Sequence, residues 1–249
     1  MTEKQSRCKN LFFMLSPLTS LYMQQIIPFN FQQQQFVLSA HRCIYWQNEH
    51  ALIVSDLHFG KTGHFRKEGI AIPQAIYKED VQRLFAQIQL FKPKQLIIIG
   101  DMFHSYANKE LAFFKKWRHD IDDIKCTLIR GNHDILATSW YADCNIDLVE
   151  KKLVIQQICF VHDILDIDIT TQQSDYYFSG HVHPCISIKG IAKQTLQLPC
   201  FYFSKQYAVL PAFSKFTGGY PIKPKRGENV FAILPNNALK NELGGIIKM

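Results

Sequence analysis

The sequence has no apolar run long enough to cross a membrane and no cysteine pair spaced as a metal-binding or redox motif. A transmembrane helix needs about 20 consecutive apolar residues, and no run in this chain of 249 residues approaches that length. Its seven cysteines are an odd number, none forms a C-x-x-C pair, and several lie in apolar segments. We therefore expect no membrane partner, and reduced, buried thiols in a cytoplasmic protein.

The sequence also lacks internal repeats and any Gly/Ser/Pro-rich linker. We therefore expect residues 23–249 to form a single domain. Residues 1–22 are expected to be an N-terminal extension, either disordered or not translated, because Met14 and Met23 each offer an alternative start. The start of this extension loosely resembles a signal peptide, but Ser16-Pro17 interrupts its apolar run and no A-x-A site follows.

Acidic residues are too few to balance the basic ones, with 21 Asp and Glu against 28 Lys and Arg. The formal net charge is +7 at pH 7, and the isoelectric point is about 9.0. A basic balance favours polyanionic partners such as nucleic acid, but it fits equally well an enzyme whose charge is scattered. Hydrophobic residues make up 47% of the chain, which is enough for a large core.

The pattern of apolar residues divides the chain into an α/β front half and a β-rich back half. Apolar residues at three- and four-residue steps predict helices over 77–91 and 107–120. Apolar runs predict strands at 36–40, 43–47, 51–55, 96–99, 126–130, 153–162, 176–180, 186–190, 194–198, 200–204 and 229–234. Two sheets packed face to face with helices outside satisfy this pattern, which predicts an α/β fold with four layers, α/β/β/α.

Five of these strands are each followed by Asp, Asn or His. In chain order, the motifs are Asp56-Leu57-His58, Gly100-Asp101, Gly131-Asn132-His133-Asp134, His162 and Gly180-His181-Val182-His183. Each motif alone is weak, because a single histidine such as His162 is more often a core residue. Open α/β sheets place their sites at the carboxyl ends of strands, and residues i and i+2 of an extended chain point the same way. Five motifs in this order therefore predict one polar cleft at the strand ends.

The five motifs together resemble those of the calcineurin-like metallophosphoesterase family, over about residues 50–185. The resemblance implies a cleft that holds two divalent metal ions. The implied ligands are Asp56, His58 and His183 for one ion, Asn132, His162 and His181 for the other, and Asp101 as a bridge between both. It also implies that His133 is not a ligand but acts near the leaving group, oriented by Asp134.

The resemblance further implies hydrolysis of a phosphate ester by a water that bridges the two ions. The ligand set contains only two carboxylates, Asp56 and Asp101, so two dications leave a positive surplus that favours an anionic phosphate. Mixed imidazole, carboxylate and amide ligands suit Mn²⁺, Fe²⁺ or Zn²⁺. The share of oxygen ligands, including Asn132, makes Mn²⁺ the first choice.

Further stretches resemble the ligase-associated DNA-damage-response endonuclease family, a bacterial group of metallophosphoesterases. They are residues 59–73, 100–105, 198–201, 210–213 and 216–219, and they extend the match to about residues 36–234. This resemblance implies a phosphodiesterase or endonuclease that acts on DNA during repair. It also implies a DNA ligase and a helicase of the same repair system as partners.

Two groups of basic residues are candidates for contact with a nucleic-acid backbone. Lys61, His64, Arg66 and Lys67 directly follow the first motif, where a loop at a strand end would carry them over the cleft. The second group lies within residues 213–226, where basic and aromatic residues alternate. That mixture suits single strands or frayed ends, but it fits an ordinary solvated loop equally well.

Two other functions stay open at this point. The first is a phosphatase of the same superfamily that acts on small molecules or phosphoproteins, and the basic flanks favour DNA over it. The second is a scaffold in a repair complex without chemistry of its own. Such members usually lack ligands or the histidine at the position of His133, whereas this chain has the full set.

Overall fold

Two β-sheets packed face to face form the centre of the molecule. The computed structural model describes residues 25–59, 75–103, 109–166, 176–189, 195–235 and 244–249. Within these ranges the first sheet has seven strands in the order β1-β2-β3-β4-β5-β6-β7, and the second has nine. The extension predicted at residues 1–22 lies outside the described residues, and the single domain over 23–249 stays a prediction.

The first sheet is antiparallel at one side and parallel at the other. Its strands are β1 Ile26–Phe31, β2 Gln34–Ser39, β3 Cys43–Trp46, β4 Ala51–Ser55, β5 Gln95–Ile99, β6 Lys125–Ile129 and β7 Ile146–Val149. Strands β1 to β4 pair antiparallel, and β4 to β7 pair parallel. Parallel neighbours need crossover connections, which here carry the helices α1 Ala75–Phe91, α2 Lys109–His119 and α3 Thr138–Asp143.

The second sheet is also mixed. Its strands are β8 Lys152–Ile155, β9 Ile158–Val161, β10 Tyr176–Ser179, β11 Pro184–Lys189, β12 Thr195–Phe203, β13 Tyr207–Val209, β14 Tyr220–Pro221, β15 Asn229–Ile233 and β16 Ile246–Lys248. Strand β10 lies between β9 and β13 and is parallel to both. The carboxyl ends of β9 and β10 therefore lie at the same edge of this sheet, as those of β4 to β6 do in the first.

Alternation along the central strands divides the core into two layers. In β4, Leu52 and Val54 face helices α1 and α2, whereas Ala51 and Ile53 face the second sheet. The layer between the sheets is rich in phenylalanine, and burying each such side chain contributes about 1.5–3 kcal/mol. On the far side of the second sheet, the described residues contribute the 3-10 helical turn Ile164–Asp166, which packs on a small cluster of its own. The predicted α/β/β/α class is confirmed.

Several predicted boundaries were wrong. The segment 153–162, predicted as one strand, is the hairpin of β8 and β9. Segments 194–198 and 200–204, predicted as two strands, form the single strand β12, in which Pro199 pairs with Cys185 of β11. Strands β1, β7, β13, β14 and β16 and helix α3 had no sequence prediction. The hairpin of β8 and β9 turns at Gln156, whose φ of 55° is left-handed. The turn contains no glycine, asparagine or proline, which are the residues that indicate a turn in a sequence.

The state of the cysteines agrees with the sequence prediction. All six cysteines within the described ranges are free and buried. Burial raises the pKa of the Cys43, Cys126 and Cys200 thiols to about 12, so these three are inert at neutral pH. None of the helices in the described ranges is both long and apolar enough to traverse a bilayer.

Candidate metal centre

The loops that follow the parallel strands run side by side and bring the motifs to one place. After β4 and β5, the amide of His58 donates to the carbonyl of Asp101 at 2.8 Å. After β9 and β10, the amide of Gly180 donates to the carbonyl of His162 at 3.0 Å. The polar residues that end these strands therefore face one another at the carboxyl edge of both sheets, as the sequence predicts.

The predicted metal ligands gather into two groups. Within each group, one ligand atom per residue lies within 4.8 Å of the others. The first group is Asp56, His58 and His183, and the second group is Asp101, His162 and His181. Oδ1 of Asn132 joins the second group, 3.1 Å from Nε2 of His162. All seven residues thus come together, and the bridging position of Asp101 stays a prediction.

The two groups adjoin each other. The amide of His181 in the second group donates to Oδ2 of Asp56 in the first group at 3.1 Å. The amide of His133 donates to Oδ1 of Asp101 at 2.9 Å, and its ring lies 5.5 Å from that of His58 between centroids. This arrangement can hold two cations side by side, with His133 at their edge.

Hydrogen bonds on the far side of two imidazoles set which nitrogen faces the cluster. Nδ1 of His162 lies 3.4 Å from the carbonyl of Ile99, and Nδ1 of His183 lies 3.2 Å from the carbonyl of Gly218. A carbonyl only accepts hydrogen bonds, so Nδ1 carries the proton in each ring. The Nε2 lone pairs are then directed inward, which is how neutral histidines ligate metals.

His181 has a carboxylate in the corresponding place. Its Nε2 lies 3.6 Å from Oδ2 of Asp163, while its Nδ1 lies 3.2 Å from Nε2 of His162 in the cluster. A carboxylate behind a ligating imidazole fixes the ring and raises its basicity. Sequence reasoning missed Asp163, and the one signal available was that it directly follows His162.

We expect Asp163→Asn to weaken metal affinity by about 10- to 100-fold, the usual effect of losing such a partner. The asparagine oxygen can still accept the hydrogen bond that Oδ1 of Asp163 takes from the amide of Leu165 at 2.9 Å, so the local turn is kept. Calorimetric titration of the metal-free protein with Mn²⁺ measures the change. An affinity equal to that of the original protein would mean that Asp163 only caps the turn.

Charge in the cluster is arranged to stabilise a cation. Asp56 and Asp101 are buried, with 0% and 2% of their surface exposed. Burial acts to raise the pKa of Asp101, but a hydrogen bond and the charge of His162 hold it below its usual range. Burial acts to lower the pKa of His162, but Asp101 and Asp56 raise it to about 9. The same carboxylates that favour a proton on this ring would favour a divalent ion in its place.

The donor atoms fit bound metal ions. Nε2 of His183 is buried, makes no hydrogen bond within the described part of the chain, and lies 3.4 Å from Oδ1 of Asp56. A buried nitrogen and a buried carboxylate oxygen that face each other without a shared proton are unfavourable unless a cation lies between them. Imidazole, carboxylate and amide oxygen together are ligands for divalent transition metals.

The backbone at the site is strained. Five of the seven predicted ligands have a left-handed backbone, with φ of 52° at Asp56, 46° at His58, 49° at Asp101, 63° at His181 and 51° at His183. This conformation costs roughly 1–3 kcal/mol for a residue other than glycine and is concentrated at functional sites. This backbone lets short loops direct both Asp56 and His58, and both His181 and His183, toward the cleft. The sequence argument assumed an extended chain at these pairs and so could not detect the left-handed conformation.

Gly180 leaves the space that the first group needs. A Cβ there would overlap Oγ of Ser55 and lie 2.6 Å from Oδ2 of Asp56. We therefore expect Gly180→Ala to displace the Asp56 carboxylate and to weaken metal affinity by at least about tenfold, a change of about 1.4 kcal/mol, so that the purified protein retains less metal. Elemental analysis after gel filtration measures it. Gly227→Ala is the control for strain without overlap. Its φ of 90° strains an alanine, but a Cβ there meets no atom within 4 Å, so it should lose stability and retain full metal content.

The carboxylate of Asp134 ties two of the loops together. It is 1% exposed and accepts backbone hydrogen bonds of 2.9 to 3.2 Å. The donors are the amides of Met102, Phe103 and Gly131. Burial raises the pKa of Asp134 to about 7, while these amides act to lower it. These contacts fix the loop of Asp101 against that of Asn132, and the orientation of His133 by Asp134 stays a prediction.

Of the two basic groups predicted to contact nucleic acid, only the second lies within the described residues. Lys61, His64, Arg66 and Lys67 lie within residues 60–74, outside the described residues. In the second group, Phe213 is fully buried, with the guanidinium of Arg83 4.3 Å above its ring. The suggestion that Phe213 is available to stack on a base was therefore wrong, because it is part of the core. Tyr220 is 64% exposed.

Comparison with known proteins identifies the family. Residues 50–167 match the family model described as calcineurin-like phosphoesterase. The crystal structure of Pseudomonas putida nuclease MPE is similar to this chain, with 31% sequence identity and a TM-score of 0.70, over 83% of this chain and 96% of that one. The chain belongs to the calcineurin-like phosphoesterase family. It is therefore a metallophosphoesterase, and the two His/Asp groups are consistent with a dinuclear metal site.

Other solved structures match this phosphoesterase more distantly. Yfce, a phosphoesterase from E. coli, is 15% identical with a TM-score of 0.40, over 80% of this chain and 97% of that one. Wild-type Vps29 complexed with Zn²⁺ from Entamoeba histolytica is 12% identical with a TM-score of 0.33, over 80% and 97% of the two chains. No curated protein sequence matches the chain.

Proposed function

We propose that this metallophosphoesterase is a cytoplasmic nuclease that hydrolyses phosphodiester bonds in DNA during repair. The observation that carries the proposal is the pair of adjoining His/Asp groups at one cleft, in a chain 31% identical to a protein described as a nuclease. Two divalent ions, with Mn²⁺ as first choice and Fe²⁺ or Zn²⁺ as alternatives, would supply Lewis acidity and a water of lowered pKa.

In this proposal, seven residues bind the two metal ions and His133 acts as the proton donor. The first group, Asp56, His58 and His183, holds one ion, and the second group with Asn132 holds the other. Asp101 would bridge the two ions. Its Oδ1 faces Nε2 of His162 at 3.5 Å, and its Oδ2 lies 4.0 Å from Nε2 of His133. His133 belongs to neither group, and its side chain is 40% exposed at the mouth of the cleft. There it can donate a proton to the leaving oxygen.

Two stretches that carry the resemblance to ligase-associated endonucleases contact the site directly. In 210–213, the amide of Phe213 donates to the carbonyl of Ser55 at 2.7 Å, next to Asp56. In 216–219, the carbonyl of Gly218 accepts from Nδ1 of His183. These contacts give both stretches a role in placing metal ligands. Assignment to that repair family, with a DNA ligase and a helicase as partners, is part of the proposal and rests on the resemblance of these stretches.

The test is hydrolysis of three substrates by the purified protein with each metal. We expect Mn²⁺-dependent cleavage of DNA and of bis-p-nitrophenyl phosphate, a diester, with weaker action on p-nitrophenyl phosphate, a monoester. Efficient hydrolysis of the monoester alone would make the protein a phosphatase. Metal binding without hydrolysis of any substrate would favour the scaffold.

A further inference from the structure

A cavity lined by basic residues adjoins the metal centre. It has a volume of about 520 Å³, and its lining includes His41, Arg42, Arg83 and Lys215. A second cavity of about 260 Å³ is lined by the metal-ligand candidate His183. The two cavities have Arg42, Gln197 and Pro199 in common. The basic cavity and the cavity beside His183 are therefore neighbours.

Arg83 is held in this cavity with part of its hydrogen-bonding capacity unused. It is 9% exposed. Its Nη2 donates to the carbonyl of Phe213 and lies 2.9 Å from Oδ1 of Asp80. Its Nε and Nη1 are buried and have no hydrogen-bond partner among the described residues. Because these two nitrogens are closed off from the cavity, Arg83 contributes its positive charge to the lining and not a hydrogen bond to an occupant.

The electrostatic environment of the cavity is positive. Among the described residues that line it, none is acidic. Two acidic residues that are not part of the lining form ion pairs with it: Asp80 with Arg83 at 2.9 Å, and Glu79 with Lys215 at 3.7 Å. The positive charge of Arg42 has no acidic partner among the lining residues. Burial, and then Arg83 and Lys215, lower the pKa of His41 to about 4. A neutral histidine surrounded by cations indicates a site that favours an anion.

The cavity is joined mechanically to the metal centre. Nη1 of Arg42 donates to the carbonyls of Ala212 and Ser214 at 3.1 and 2.6 Å. The amide of Ser214 in turn donates to the carbonyl of Asp56 at 3.2 Å. The cations of the cavity and a metal ligand are therefore held at a fixed separation. A nucleic-acid strand offers a phosphate to each of the two places, whereas a small phosphate monoester offers only one.

We propose that this cavity is a second phosphate site, which binds a backbone phosphate of the nucleic-acid strand whose neighbouring phosphodiester lies at the metal centre. The proposal rests on the nuclease function proposed above and specifies its substrate as a polymer. The recognising chemistry is that of guanidinium and ammonium groups with phosphate oxygens. A free phosphate or mononucleotide has the same chemistry, so the experiment separates these from a strand.

The variant that tests the site is Lys215→Gln, because this side chain is 52% exposed and its loss leaves the core intact. Lys125→Gln is the matched control. Lys125 is also exposed and paired with a carboxylate at 3.6 Å, but it is the first residue of β6, at the opposite end of the strand from the site. Lys215→Arg should restore the function of the original residue.

Binding of fluorescent single-stranded DNA is measured by anisotropy over a series of salt concentrations. Ca²⁺ replaces Mn²⁺, so that the metal centre is filled while cleavage is suppressed. We expect Lys215→Gln to reduce the slope of log affinity against log salt by about 0.7, the value for one phosphate contact on a single strand. Affinity of the original protein should rise with length over roughly two to eight nucleotides, and this rise should be smaller in Lys215→Gln. Lys125→Gln should behave as the original protein does.

Two results would overturn the proposal while leaving the nuclease function intact. One is an unchanged salt slope and length dependence in Lys215→Gln, together with DNA cleavage. The other is a result in which inorganic phosphate displaces a bound mononucleotide from the original protein but not from Lys215→Gln, while the two proteins bind the DNA strand equally well. The cavity would then be a site for a free anion. Failure of the nuclease function has a different signature, since the original protein would then neither bind nor cleave DNA.

Discussion

Asp101→Ala should abolish hydrolysis, with a loss of at least about 10³-fold, or about 4 kcal/mol in transition-state stabilisation. The carboxylate is 2% exposed and is the one negative charge of the second group, facing Nε2 of His162 at 3.5 Å. Without it, two cations would repel each other across the cleft with no carboxylate between them. Metal content by elemental analysis and turnover of bis-p-nitrophenyl phosphate should therefore fall together.

The isosteric variant Asp101→Asn separates charge from shape. Its amide oxygen can still accept the hydrogen bond from the amide of His133, so the loop should keep its position. We expect it to lose metal almost as completely as Asp101→Ala. Asp147→Ala is the control, because Asp147 is 65% exposed and pairs with the exposed Lys125 at the surface, away from the metal centre. Turnover near that of the original protein in either Asp101 variant, with both metals retained, would refute the role of Asp101 as a shared ligand.

The sequence was informative wherever function and local structure coincide. Asp56, Asp101 and His162 each follow a continuous apolar strand, and that adjacency was enough to place them at one edge of two sheets. Helix α1 was predicted for a similar reason, since its apolar face and the Lys92-Pro93 stop are both local. Lys92 has a left-handed φ of 46° directly after the helix ends at Phe91.

The sequence was uninformative where partners are far apart in the chain. Arg42 meets the carbonyl of Ser214, 172 residues away, and no periodicity relates the two. Phe213 was grouped with the basic residues that follow it as a candidate contact for nucleic acid, whereas its ring lies in the core under Arg83. Separate strands were predicted on the two sides of Pro199, but β12 continues through it, although proline has no amide to donate to a neighbouring strand.

Backbone conformation was the other missing quantity. The left-handed residues of the metal centre are aspartates and histidines, types that adopt this region more readily than most. Sequence alone gives no reason to place the strain there and not at other Asp or His residues. The structure therefore shows what orients the predicted ligands. These features are the strained loops, the hydrogen-bond acceptors behind the imidazoles at Gly218 and Asp163, and the space left by Gly180.

His133→Ala should retain both metals but lose rate. The side chain is 40% exposed, its Nε2 lies 4.0 Å from Oδ2 of Asp101, and it is in neither metal group. A residue so placed can protonate the leaving oxygen, and a general acid contributes about 10²–10⁴-fold. The loss should be largest for DNA, whose deoxyribose oxygen is a poor leaving group. It should be much smaller for bis-p-nitrophenyl phosphate, because nitrophenolate leaves without a proton.

The measurement is therefore a ratio, the loss in kcat/KM on DNA divided by the loss on the nitrophenyl diester, together with metal content. His119→Ala is the control, because His119 is 85% exposed on helix α2 and its removal should change neither value. A ratio well above one with full metal content identifies His133 as the proton donor. Equal losses on the two substrates would mean that His133 stabilises charge on the phosphate instead. The reason is that charge stabilisation acts on the transferred group in both reactions, whereas protonation acts only on the oxygen that needs it.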